Sequence, residues 1–186
     1  MPRAGLSQVD IIENASLFIN EHGLEQLSLG KLAQRLKVKP PSLYNHIASL
    51  DALKDQLTLK AISLLKQDLL KATVAKTQQE ALQGFAHAYR RFALNNPGLF
   101  QATLRNVEDK QGEIKKEGYE ILELILSILK GFGLEGEQAL HATRSLRANL
   151  AGFIMLELNE GFAMPINSEE SFDKHVQGFI KSLSNF

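Results

Sequence analysis

The residues with the most chemistry to offer fall in one short window. Ser28, Lys39, Pro40, Ser42, Tyr44, Asn45, His46 and Lys54 lie close together in the chain. Their hydroxyl, amide, imidazole and ammonium groups suit hydrogen bonding to phosphate oxygens and base edges. Phosphate contacts fix register, and base contacts carry sequence information. None of these residue types, at this spacing, makes a nucleophile–base pair or a phosphate-cradling glycine loop.

Such groups need a scaffold that presents them together. A helix-turn-helix has two short helices at a steep angle, joined by a turn of three or four residues. Ser28 can cap the first helix, with Leu29, Leu32, Ala33 and Leu36 on its buried face. Residues 37–39 make the turn. Pro40 and Pro41 open a second helix, expected to reach Ile47, whose N-terminal end enters the major groove. Leu32, Ala33, Leu36, Val38, Leu43 and Ile47 can form the small core between them. Lys39 and Ser42 then start the recognition helix, with Tyr44 and Asn45 on its exposed side. Tyr44 and His46 can donate to phosphates. Lys54 falls in the first turn of the next helix, where free N–H groups favour an anion. The competing reading packs Tyr44 on the core.

Charge agrees locally. The 186 residues carry 21 basic and 21 acidic side chains, a net charge of zero. Between Ser28 and Lys60, however, Lys31, Arg35, Lys37, Lys39, Lys54 and Lys60 face only Asp51 and Asp55. That local excess of +4 leaves −4 for the rest, a basic head on an acidic body.

The whole chain reads as all-α. Leu, Ala, Glu, Lys and Gln dominate over β-branched residues. Ser7 can cap an opening helix with Val9, Ile12, Ala15, Leu17, Phe18 and Ile19 as its apolar face, ended by His22-Gly23. Ser49 caps a long fourth helix reaching about Ala75. Further helices are expected over 78–95, 97–105, 108–130, 136–161 and 168–182, the last capped by Ser168. The expected organisation is a helix-turn-helix head over 1–50, a connecting helix over 51–75 and a helical ligand-binding and dimerisation domain over 76–186. With 44% hydrophobic residues, no cysteine, no apolar run near the ~20 residues that span a bilayer and no signal-like start, the chain is expected to be cytoplasmic, with no membrane partner.

The head resembles the TetR family of bacterial transcriptional regulators. The resemblance rests on Ser28, Leu32-Ala33, Leu43-Tyr44-Asn45-His46-Ile47 and Lys54, with Ala15, Phe18 and His22-Gly23 before them. It covers about the first sixty residues. It implies a homodimer that reads a palindromic DNA operator, repression relieved by a small-molecule effector, and no enzymatic activity. Half-sites would then lie roughly 34 Å apart or somewhat more. The rest resembles a subgroup named for a Trp-His-Gly signature, through Tyr89 to Ala93, Asn96 to Phe100, Leu150 to Phe153, Leu156-Glu157 and Gly161-Phe162. Arg147 and Ala151 stand where that signature has Trp and His, so no role of theirs transfers.

Elsewhere the residues leave more open. Phe85, Tyr89, Phe92, Phe100 and Phe153 can line an apolar effector pocket or serve as plain core. Arg90, Arg91, Arg144 and Arg147 can bind a carboxylate ligand or form surface ion pairs. His87, His141 and His175 sit on different helices, and no ligand spacing announces a metal site or a cofactor. Ala148, Ala151 and Gly152 would let one long helix approach a second subunit closely. The alternative function is a helical interaction module without DNA binding.

Overall fold

The computed structural model describes residues 6–106 and 112–186. Among them are nine α-helices and no strand: α1 Gln8–His22, α2 Leu29–Leu36, α3 Pro41–Tyr44, α4 Leu50–Thr73, α5 Gln78–Asn95, α6 Pro97–Thr103, α7 Glu113–Lys130, α8 Gly136–Leu158 and α9 Ser168–Ser182. The start expected for α7, at Glu108, lies outside the described residues. The chain divides into two compact units, Met1–Ser63 with Asn96–Lys115, and Leu64–Asn95 with Lys116–Phe186. No helix among the described residues is long and apolar enough to cross a membrane.

Unit 1 is built on α1. Ser7 closes a reciprocal cap: its Oγ accepts from Asp10 N at 3.1 Å, and Asp10 Oδ2 accepts from Ser7 N at 3.0 Å. The buried face of α1 is Ile11, Ala15, Ser16, Phe18 and Ile19, while Val9 and Leu17 are exposed. The inward stripe recurs at steps of three and four, and Val9 and Leu17 fall off it. Gly23, at φ 86°, ends the helix. Leu24, Leu27, Leu32, Ala33, Leu43, Ile47, Leu53 and Leu57 complete the core, and Leu36 and Val38 are half-buried.

Helix α6 belongs to this unit, not with its sequence neighbours. Asn20 of α1 caps it from across the fold, its Oδ1 accepting from Gly98 N at 3.0 Å and Leu99 N at 3.1 Å. Gln101 Oε1 in turn accepts from Leu24 N at 2.9 Å. The approach needs glycine: a Cβ on Gly98 would lie 2.1 Å from Ile19 O.

In unit 2, α5 packs against α8 and α9. Arg90 on α5 is 8% exposed and is gripped by Glu157 of α8, Nε–Oε2 at 2.7 Å and Nη2–Oε1 at 2.6 Å. Its Nη1 donates to Glu169 of α9, and the guanidinium lies over the Phe172 ring, 5.0 Å from its centroid. Ser168 does not cap α9. Asn167 does, its Oδ1 accepting from Glu169 N and Glu170 N. Ser168 Oγ instead accepts from Arg90 Nη2 at 3.4 Å. An Asn one position earlier can fill the cap because both are good cap residues.

Candidate nucleic-acid interface

The turn between α2 and α3 is made by a left-handed residue, Lys37, at φ 56° and ψ 39°. Its N–H closes on Gln34 O, and Val38 N closes on Ala33 O, which satisfies the last carbonyls of α2. Ser28 caps α2, its Oγ accepting from Lys31 N at 3.3 Å. Ala33 is buried. Pro40 and Pro41 begin α3, which is a single turn. It stops at Tyr44, earlier than the expected Ile47; a turn through Asn45 and His46 carries Ile47 back to the core by its N–H to Leu43 O, at 3.0 Å. Ser49 Oγ then accepts from Ala52 N at 3.0 Å and opens α4.

This local folding decides which side chains face outward. Leu43 and Ile47 are buried, and Tyr44 between them is 59% exposed. Tyr44 is thus not a core residue. Lys39, Pro40 and Asn45 are exposed, and Ser28, Ser42, His46 and Lys54 are half-buried. All eight candidates fall within unit 1.

The structure also sorts the basic residues. Arg35 makes a double hydrogen bond to Glu21 of α1, at 2.6 and 2.8 Å. That contact holds the Glu21 carboxyl below its ordinary range. Lys60 pairs with Glu13 at 2.6 Å. Lys31 Nζ donates to Gln26 Oε1 at 2.8 Å. Lys37, Lys39 and Lys54 have no acidic partner among the described residues. The +4 window therefore reduces to a smaller cationic set on the turn, α3 and the start of α4. Lys37 joins it, and its exposure at a left-handed turn was not legible from residue type.

The aromatic candidates divide between the two units. Phe100 lies in unit 1, and Phe85, Tyr89, Phe92 and Phe153 lie in unit 2. Phe85, Tyr89 and Phe92 are buried, and Phe85 stacks on Tyr89 with centroids 6.4 Å apart. Phe153 is half-buried against Phe162, Phe172 and His175. Burial pushes the Tyr89 phenol up, and the Arg147 charge and hydrogen bond pull the other way. Arg90, weighed as a surface ion pair, is instead buried.

An exposed polar turn-helix over a buried apolar pair, flanked by lysines without acidic partners among the described residues, has the features of a helix-turn-helix DNA-binding surface. Comparison with known proteins agrees. Residues 82–179 match the family described as tetracyclin repressor-like, C-terminal domain. The chain is 35% identical over 182 residues to the HTH-type transcriptional regulator YobS of Bacillus subtilis, covering 98% of this chain and 95% of that one. It is 31% identical over 158 residues to the HTH-type transcriptional regulator Rv0681 of Mycobacterium tuberculosis, covering 83% and 72%. The fold matches that of the TetR family protein ActR of Streptomyces coelicolor, solved in complex with (S)-DNPA, with a TM-score of 0.71, 20% identity and 98% coverage of both chains. The chain belongs to the TetR family of helix-turn-helix transcriptional regulators. These matches do not name the Trp-His-Gly subgroup.

Proposed function

We propose that this regulator is a homodimeric repressor that leaves a palindromic operator when a small molecule binds unit 2. The observation that carries the DNA reading is Tyr44, exposed between buried Leu43 and Ile47 and followed by Asn45 and His46. In this reading Lys39, Pro40, Ser42, Tyr44 and Asn45 meet the major groove. Ser28, His46 and Lys54 hold the flanking phosphates, and Lys37 adds to them. Phosphate contacts supply much of the affinity and make it fall with salt.

The dimer reading rests on α8. Ala148, Gly152 and Leu156 recur at steps of four and are exposed, and a Cβ on Gly152 would meet nothing within 4 Å. Within the subunit Gly152 needs no closeness, which favours a second copy as what it admits. The effector reading is supported by ActR, whose structure holds a small molecule. We place the effector in unit 2, with Phe85, Tyr89, Phe92 and Phe153 as apolar walls that it would part. Phe100 is assigned to unit 1, where α6 sits on α1 and continues in sequence from α5. A ligand shifts operator affinity only by its differential affinity for the two states.

Fluorescence anisotropy with labelled DNA from the gene's own upstream region tests the assignment. Wild-type protein binds it, and Tyr44→Ala, which loses the hydroxyl that can also reach a phosphate at the groove edge, binds about tenfold more weakly, a loss of about 1.5 kcal/mol for one hydrogen bond to a charged group. Equal binding by both proteins removes Tyr44 from the interface. Binding by neither favours the interaction-module reading.

A further inference from the structure

One cluster in unit 2 is absorbed by none of this. His87 of α5 faces Glu169 and Asp173, which stand one turn apart on α9. His87 Nε2 lies 3.0 Å from Asp173 Oδ1, and His87 Nδ1 lies 3.8 Å from Glu169 Oε1. One ligand atom from each of the three lies within 4.8 Å of the others. We propose that His87, Glu169 and Asp173 bind a divalent first-row transition-metal ion, Zn2+ foremost.

Five features carry this. Imidazole nitrogen with two carboxylate oxygens is a donor set such ions accept, with bonds of roughly 2.0–2.2 Å. Donors around a tetrahedral ion of that bond length stand roughly 3.4 Å apart, so a spacing of up to 4.8 Å needs a contraction of about 1.4 Å at most. Exposed side chains supply it: His87 is 35% exposed, Glu169 60% and Asp173 47%.

The charge also favours a cation. Like charges one turn apart on a helix repel. Glu157 is matched by the two-point contact with Arg90. Glu169 takes only the remaining Arg90 Nη1, and Asp173 pairs with no lysine or arginine among the described residues. A dication offsets what is left.

The ligands are already oriented. The His87 ring stands edge-on to Phe172, with centroids 5.4 Å apart at 75°, and Arg90 steers Glu169. Such outer contacts fix the first ligands of metal sites. Entry is open, because His87 and Asp173 border a hollow of about 710 Å³ that also meets Lys76, Glu80 and Arg91.

The test uses the full chain, stripped with chelator and titrated with Zn2+ by calorimetry and with Co2+ by visible absorption. One ion per chain is expected, with a Co2+ ligand-field band. His87→Gln and Asp173→Asn should each weaken binding at least about tenfold, the lower bound seen for outer-shell changes. His141→Gln, an exposed histidine of α8 outside the cluster, should change nothing. Circular dichroism of each variant checks the helices. A wild-type chain that takes up no ion saturably overturns the proposal, and so does binding that survives in both folded variants. If either variant fails to fold, Zn2+ protection of His87 in wild-type protein from diethyl pyrocarbonate decides the matter, and undiminished modification at saturating Zn2+ overturns the site.

Discussion

In unit 2, Arg90 is buried and closed off by Glu157 and Glu169. In unit 1, Lys37, Lys39 and Lys54 stand on one short stretch with no acidic partner among the described residues. Other basic groups of unit 1, among them Arg35, Lys60 and Arg105, hold elements together through Glu21, Glu13 and Asp55. The Arg90 charge is spent on joining α5, α8 and α9, whereas the three lysines of unit 1 are free of such ties and open to an anion. A paired buried charge shows itself in folding stability, and an unpaired exposed one in binding and its salt dependence.

The sharpest way to break that contrast is Arg90→Met. Two carboxylates would lose their partner, and Glu157 would remain nearly buried. We expect a loss of about 3 kcal/mol in chemical denaturation, the lower end for a broken buried pair because Glu169 is exposed. A loss below about 1 kcal/mol would make Arg90 an ordinary surface group. The pH profile gives the same contact a sign. Arg90 holds the Glu157 carboxyl below its ordinary 4.5. Its contribution is therefore complete above about that pH and is lost as pH falls through the lowered value. In Arg90→Met this part of the acid sensitivity should flatten.

Next in size is Gly98→Ala in unit 1. The new methyl would collide with the α1 backbone at Ile19 O, so α6 must move. Overpacking of this kind costs about 2 kcal/mol, read as a lower melting temperature. An unchanged melting temperature would mean that the α1–α6 seam is loose.

The exposed side should behave in the opposite way. Lys54→Ala should leave the denaturation midpoint nearly unchanged. It should weaken binding to all DNA sequences alike, and the log–log salt slope should become shallower by about 0.9, one phosphate contact. An unaltered slope would take Lys54 out of the interface. Smallest in energy but clear in readout is Gly152→Arg on the open face of α8. Light scattering should show monomer where the wild type is a dimer, and a wild-type monomer would remove the dimer reading.

The two units were unequally legible in sequence. The candidate DNA surface lies in one window, so residue type and helical spacing suffice to pair buried Leu43 and Ile47 with outward Tyr44. What was missed there is conformational: Lys37 in the left-handed turn and the early end of α3 depend on backbone angles that no spacing reveals. In unit 2 the informative contacts join residues far apart in the chain. Arg90 finds Glu157 and Glu169 only once three helices pack, and His87 meets Asp173 by the same route. Scanning for metal spacing within one helix could not find a site split between α5 and α9. The placement of α6 escaped for the same reason, since its cap, Asn20, belongs to α1.

The central claim is that the α2–α3 surface reads DNA sequence. Selection from a random double-stranded library with the wild-type protein tests it most directly. Enrichment of a two-fold symmetric site, lost when Lys39, Tyr44 and Asn45 are together replaced by Ala, is the predicted result. A selected pool with no sequence preference, or one left unchanged by the triple replacement, would contradict it.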